Sequence, residues 1–144
     1  MVMLTLGVLL WSFAHLFKRL APAVREGMGD GGKLVVTLAL IGSIALMTSG
    51  YQSAVGSIWW VRQPSWVLLN NALMVLVLYL MVASSLKVRV TGLVRHPQLT
   101  AIKAWSVGHL LVNGDAPSFV LFSGLLIWAV VTVIVINRQD GKPA

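Results

Sequence analysis

Three histidines, His15, His96 and His109, are the side chains of this 144-residue chain best suited to chemistry near neutral pH. Two of them, with two cations and one of the four carboxylates, fall within the 21-residue stretch RHPQLTAIKAWSVGHLLVNGD at 95–115. Imidazole ligates transition metals and haem iron. Cysteine is absent, which excludes thiolate ligands, a thiol nucleophile and disulfides. No carboxylate lies within the long apolar runs. A zinc site of three or four ligands therefore has to use all three histidines, and a site with two ligands fits haem better. A dedicated proton relay lacks the Asp or Glu residues that would pass the proton along.

The elements that must position these rings are membrane helices. The chain is 58% hydrophobic and only 10% charged, against roughly 25% charged for an average soluble domain. Uncharged runs at 1–17, 34–61, 66–86 and 116–137 approach or exceed the ~17 to 25 residues of a spanning helix. The spacing predicts helices over 2–20, from about 33 through the following apolar run, over 65–86 and over 117–136. Four glycines in REGMGDGGK predict a loop after the first, and Trp59, Trp60 and Trp66 suit a headgroup belt. A fourth segment of about 16 residues, from Pro97 to the NGD turn, completes the set. Lys103 inside it can snorkel to the interface, so a short span is accommodated.

With five spans, Lys18, Arg19, Arg25, Lys33, Lys87, Arg89, Arg95, Lys103, Arg138 and Lys142 fall on one side and Arg62 alone on the other. That asymmetry predicts an outside amino terminus and an inside carboxyl terminus. A re-entrant fourth segment would move only Arg138 and Lys142. The net charge of +7 thus reads as orientation signal, and no nucleic-acid partner is expected. The first apolar run starts without a basic n-region and is followed by Lys18 and Arg19, which reads as a first span and not as a cleaved signal. The expected fold is an all-α polytopic transmembrane helical bundle, one integral membrane domain over 1–144, in a bacterial inner membrane.

Capping rules organise the 95–115 stretch. Pro97 suits the first helical position, which makes His96 the N-cap. Asn113 and Gly114 are expected in left-handed geometry to stop the helix, and Asp115 to cap the next one. His109 then lies about three turns into its helix, with Gln98, Ile102 and Trp105 on its face. His15 lies similarly deep in the first helix, one turn below Trp11. Ionisable residues inside spans usually face the bundle interior and mark function. The plainer alternative is a neutral histidine bonded to a carbonyl or serine of a neighbouring helix. The two depths differ by several ångströms. His96 with Arg95 has the default role of a cap or inner-leaflet contact, and an anion or haem-propionate contact as the functional alternative.

RHPQLTAIKAWSVGHLLVNGD resembles the signature of the NnrU family of small polytopic membrane proteins, in which an RHP turn precedes a helix ending in H-L-L-x-N-G-D. VLLWSFAHLF at 8–17 resembles that family's opening span with its single histidine. The resemblance covers most of the chain as pattern and is specific in the 21-residue block. The family includes the plant and cyanobacterial zeta-carotene isomerase, which is similar to a haem b protein that rotates a cis double bond without net redox change. The resemblance implies His15 and His109 as axial ligands of haem b iron, and Arg95 and His96 as the motif on the inner side. Leu110 stands where the isomerase has a second histidine. Bacterial members are named for an association with nitric oxide and denitrification.

The leading expectation is a membrane protein holding haem b between His15 and His109, with a redox or isomerisation role on a hydrophobic small molecule. Trp11, Trp105 and Phe119 are candidate polyene contacts, or ordinary packing. The rival is a non-enzymatic subunit or assembly factor of a larger membrane complex, with Gly42, Ser43, Ser49 and Gly50 admitting a partner helix. A transporter has little support, because no paired broken helices or charged midplane site appear.

Overall fold

The apolar runs fold as helices that all join the same two ends of one bundle. A computed structural model describes residues 1–86 and 88–141. In chain order these form α1 (Val2–Leu20), α2 (Pro22–Gly27), α3 (Gly29–Ser53), β1 (Ile58–Trp60), α4 (Pro64–Leu86), α5 (Val90–Leu93), α6 (Pro97–Val112), β2 (Gly114–Asp115) and α7 (Ala116–Gln139). Four helices are long and apolar enough to cross a bilayer: α1, α3, α4 and α7, with 19, 25, 23 and 24 residues. Their outward faces carry large exposed apolar side chains, among them Leu68 at 73% and Leu78 at 67%. Such surfaces suit lipid, since water would leave them as unpaid apolar area.

A shorter helix, α6, has 16 residues, or about 24 Å of rise. It packs between α4 and α7, while α1 packs between α3 and α7. The lateral order is therefore α3, α1, α7, α6, α4, an arc whose terminal members share no comparable interface.

Small residues set the closest approach in that arc. A Cβ on Gly7 would sit 2.7 Å from the Met47 backbone nitrogen and 3.0 Å from the Ser43 carbonyl oxygen, and one on Gly50 would sit 2.8 Å from Leu4 Cα. Where lipid tails are as apolar as leucine, such close packing holds helices together. Ser43 and Gly50 are thus used inside the chain, whereas Gly42 has nothing within 4 Å of a built Cβ. Across the arc, Gly108 of α6 admits Asn70 and Met74 of α4 in the same way.

Two local expectations differ from what forms. The glycine-rich 25–33 stretch is helical apart from a break at Met28, because Gly29 takes φ +53° and the chain re-enters a helix at once. Gly32 then lies against the Arg25 side chain, whose Nη1 donates to the Gly29 carbonyl. In the NGD turn, Asn113 is extended, at φ −126° and ψ 96°, and Gly114 is not left-handed. Asn113 closes α6 by donating its backbone N–H and its Nδ2–H to the His109 carbonyl. Gly114 is needed because a Cβ there would collide with the Trp60 carbonyl oxygen and approach Trp60 Cγ to 2.6 Å. That contact belongs to the antiparallel β1–β2 pairing, which joins the α3–α4 and α6–α7 connections at one end. Trp60 Nε1 seals it by donating to the Leu110 carbonyl at 2.9 Å.

Gly50→Ala is expected to force α1 away from α3 and cost about 1–3 kcal/mol, the usual penalty of overpacking. Gly42→Ala should be neutral or stabilising by up to about 1 kcal/mol, since it adds helix propensity in open space. Reversible denaturant unfolding in detergent measures both, and equal effects at the two positions would contradict the packing described.

Candidate functional site

The site grows from α7. Its buried side chains Phe122, Leu125, Trp128 and Ala129 recur at helical spacing and form one inward stripe. His15 of α1 lies against Trp128 with ring centroids 4.8 Å apart, and Trp11, one turn earlier, lies 4.1 Å from His15 and 5.5 Å from Trp128. His109 of α6 stacks on Phe122 at 4.6 Å and 7°, with Trp105 set edgewise at 4.8 Å. Each imidazole is therefore held by two aromatic rings, one from its own helix and one from α7.

The tautomer of His15 follows from its hydrogen bond. A carbonyl can only accept, so Nδ1–H donates to the Trp11 carbonyl at 3.0 Å, and in the neutral ring Nε2 then carries the lone pair. This is the usual arrangement of a ligating histidine, oriented through one nitrogen and free at the other. His109 makes no side-chain hydrogen bond among the described residues, and ring stacking alone orients it.

Depth along the bundle follows from α7. Phe122 and Trp128 are six residues apart, which places the two imidazole stacks about 9 Å apart along the axis. Because α1 and α6 run in opposite directions, Trp11 and Trp105 both lie between those levels. There they line a cavity of about 520 Å³ together with Met47, Val77, Leu125 and Trp128. Side chains of α1, α3, α4, α6 and α7 all contribute, and the gap between α3 and α4 is its lateral boundary. His15 and His109 stand beside this cavity at opposite ends of its aromatic wall. The indole N–H groups of Trp11 and Trp128 are buried without an acceptor in the same cluster. Phe119, by contrast, packs on Trp59 at 5.1 Å and does not line the cavity.

The accessible side of His15 opens on a second space of about 320 Å³, lined by Lys18, Arg25 and Lys33. These cations come from α1, α2 and α3. Lys33 also pairs with Asp30 at 2.8 Å. An imidazole beside three cations suits a ligand with an apolar body and carboxylate arms.

Arg95 and His96 are placed elsewhere. Pro97 opens α6 and His96 is its N-cap, as capping rules require. The His96 ring donates from Nε2 to Asn137 Oδ1 at 3.0 Å, and Arg95 Nη2 donates to the Gly141 carbonyl. Asn137 is 15 residues beyond Phe122 on α7, about 22 Å along the axis. The RHP turn thus grips the end of α7, where Arg19 also pairs with Asp140 at 2.8 Å and Gln139 donates to the Arg19 carbonyl. His15 and His109 pack behind the aromatic rings at the cavity and do not themselves line it; Arg95 and His96 form a separate latch at the basic end.

At the opposite end Asp115 caps α7, accepting the Ser118 N–H at 2.9 Å and the Ser118 hydroxyl at 2.8 Å. Tyr51 of α3 joins them through a 2.7 Å hydrogen bond to Ser118 Oγ. Sequence spacing could show the Asp115–Ser118 pairing. It could not show Tyr51, which is 67 positions away. Among the described residues, no three or more His, Cys, Asp or Glu side chains are grouped to hold a metal ion. A metal at His15 and His109 would have to arrive with other ligands of its own.

The Arg19 hydrogen bond holds the Asp140 carboxyl below its ordinary value of 3.8. A carboxylate lowered in the folded state adds stability that is full above its unfolded pKa and is lost as pH falls through the folded one. Wild type should therefore lose stability below about pH 3.8, and Asp140→Asn should remove part of that acid-side slope while leaving the fold intact. Unfolding midpoints measured from pH 6 downward test this, and parallel slopes would contradict it.

The family description NnrU protein matches residues 3–144, nearly the whole chain. No curated protein and no solved structure matches it.

Proposed function

Because the chain belongs to the NnrU family and exposes apolar helices of spanning length, we propose that it is a haem b protein of a bacterial inner membrane, with His15 and His109 as the iron ligands. The observation that carries this reading is the His15 imidazole, tied through Nδ1 to the Trp11 carbonyl, with Nε2 of the neutral ring left for a metal and its open side on a space lined by Lys18, Arg25 and Lys33. The donor types suit the group, since two imidazoles satisfy haem iron and the macrocycle supplies the remaining ligands; the two stacks stand about 9 Å apart along the axis, so serving one iron requires α1 and α6 to bring the rings closer. Haem held this way supplies one-electron exchange at its iron.

The chain's own residues have distinct parts. Trp11 and Trp128 clamp His15, while Trp105 and Phe122 clamp His109. Met47, Val77 and Leu125 keep the space between them free of polar groups, which excludes water from whatever lies there. Lys18, Arg25 and Lys33 offer cations to the carboxylate arms. Arg95 and His96 act at a distance by holding the end of α7. The gap between α3 and α4 admits a hydrophobic substrate from the bilayer, which keeps a redox or isomerisation role on a carotenoid or similar molecule within the reading, as it does a link to nitric oxide metabolism. Leu110 occupies the place of the isomerase's second histidine, so the redox role is preferred.

In this arrangement α6 crosses the bilayer as a fifth, short span, with the amino terminus outside. Lys18, Arg19, Arg25, Lys33, Arg89, Arg95 and Arg138 gather at one end, whereas Arg62 follows β1 at the other, as the positive-inside rule requires of this orientation. Lys87 and Lys142 lie outside the described residues. The chain lacks cysteine, so Arg62→Cys and Arg138→Cys place single thiols at the two ends. An impermeant maleimide should label the first in intact cells and the second only after permeabilisation; the reverse pattern would overturn the orientation.

Protein purified in detergent after expression with ample haem should show a Soret band. His15→Ala and His109→Ala should each lower bound haem by more than about tenfold, as loss of a ligand exceeds the 10–100-fold effect of losing its supporting partner. A wild type free of haem, or variants that retain the full band, would sink the assignment.

A further inference from the structure

The hydrogen-bonded chain Tyr51–Ser118–Asp115 has a direction. Asp115 accepts two donors from Ser118, one on each carboxylate oxygen, so the Ser118 hydroxyl proton is committed to Asp115. Ser118 is fully buried. Its oxygen can then only accept from Tyr51, at 2.7 Å, which commits the single phenolic proton as well. Tyr51 Oη is left with lone pairs and no proton to give.

Tyr51 borders a space of about 310 Å³, with Thr48, Gln52, Leu121 and Trp105 around it. This lobe shares Ile44, Met47, Trp105 and Leu125 with the 520 Å³ cavity, so the two adjoin. The polar groups of the combined space gather at the Tyr51 end, and its body is lined by aliphatic side chains and indoles. Tyr51 lies two residues before the end of α3, at the level where a bilayer interface would fall. An elongated molecule lying here has its apolar body in the cavity and one polar group at Tyr51, the disposition of an amphiphile in a leaflet.

We infer that the lobe at Tyr51 binds a lipid-soluble molecule bearing a hydroxyl group, whose O–H donates to Tyr51 Oη. A ketone or ether of the same shape meets an oxygen that can only accept, and is disfavoured. The lobe is lined by α3 and α7 residues and by Trp105 of α6, and neither histidine is among them.

The test uses the full chain in phosphatidylcholine nanodiscs and two radiolabelled probes, 4-nonylphenol and its methyl ether, with empty nanodiscs correcting for partition into lipid. The phenol should bind about tenfold more tightly than the ether, the worth of one hydrogen bond in an apolar site. Tyr51→Phe should reduce that preference to less than about twofold while leaving ether binding as in wild type. Ser118→Ala releases the Tyr51 proton, so ether binding should rise several-fold; this variant decides the matter if Tyr51→Phe does not fold. Equal binding of the probes by wild type, no binding above empty nanodiscs, a preference that survives Tyr51→Phe, or unchanged ether binding in Ser118→Ala would each overturn the inference.

Discussion

The contact on which the structure depends is the aromatic packing of α1 and α6 against α7. Trp128 receives Trp11 and His15 from one side, and Phe122 receives Trp105 and His109 from the other. In a bilayer there is little hydrophobic gain in bringing helices together, so shape-matched contacts of this kind must hold the bundle. Each aromatic pair contributes about 0.5–1.5 kcal/mol beyond its burial. Loss of either cluster would separate a histidine from the cavity wall and loosen one half of the arc.

The cavity follows from where tight packing stops. Gly7 and Gly50 bring α1 and α3 into backbone contact, and Gly108 of α6 makes room for the Asn70 and Met74 side chains of α4. Nothing comparable joins α3 to α4, so the arc stays open on one side. The ends are closed by polar devices: the β1–β2 pairing with Trp60 at one, and Arg19–Asp140 with the RHP turn at the other. A bundle latched at both ends and open at its waist leaves its apolar cavity bounded laterally by the gap between α3 and α4.

Much of this was legible in the residues. The span 2–20 is α1, Pro97 opens α6 with His96 before it, and Asp115 caps α7 as its type and position require. Lys18, Arg19, Arg25, Lys33, Arg89, Arg95 and Arg138 gather at one end, with Arg62 at the other and Lys103 within α6. Other features depend on tertiary geometry that spacing cannot carry. Gly114 reads as a helix stop and is instead a clearance for Trp60, 54 positions earlier in sequence. Arg95 and His96 read as a cap or inner-leaflet contact, with an anion as the alternative; His96 is the N-cap of α6, and spacing could not show their side-chain partners, Asn137 of α7 and Gly141 just beyond its end. Ser43 and Gly50 suit a partner helix by composition, and α1 takes that place. His15 and His109 stood out because ionisable groups are costly in a membrane, but which α7 rings hold them is a property of the fold alone.

The central claim is that two imidazoles from α1 and α6 serve one haem iron. Electron paramagnetic resonance of the oxidised, haem-loaded protein at low temperature reports the axial ligands directly. The account predicts a low-spin, six-coordinate signal of bis-imidazole type in wild type. A high-spin signal, or a low-spin one not of that type, would contradict it.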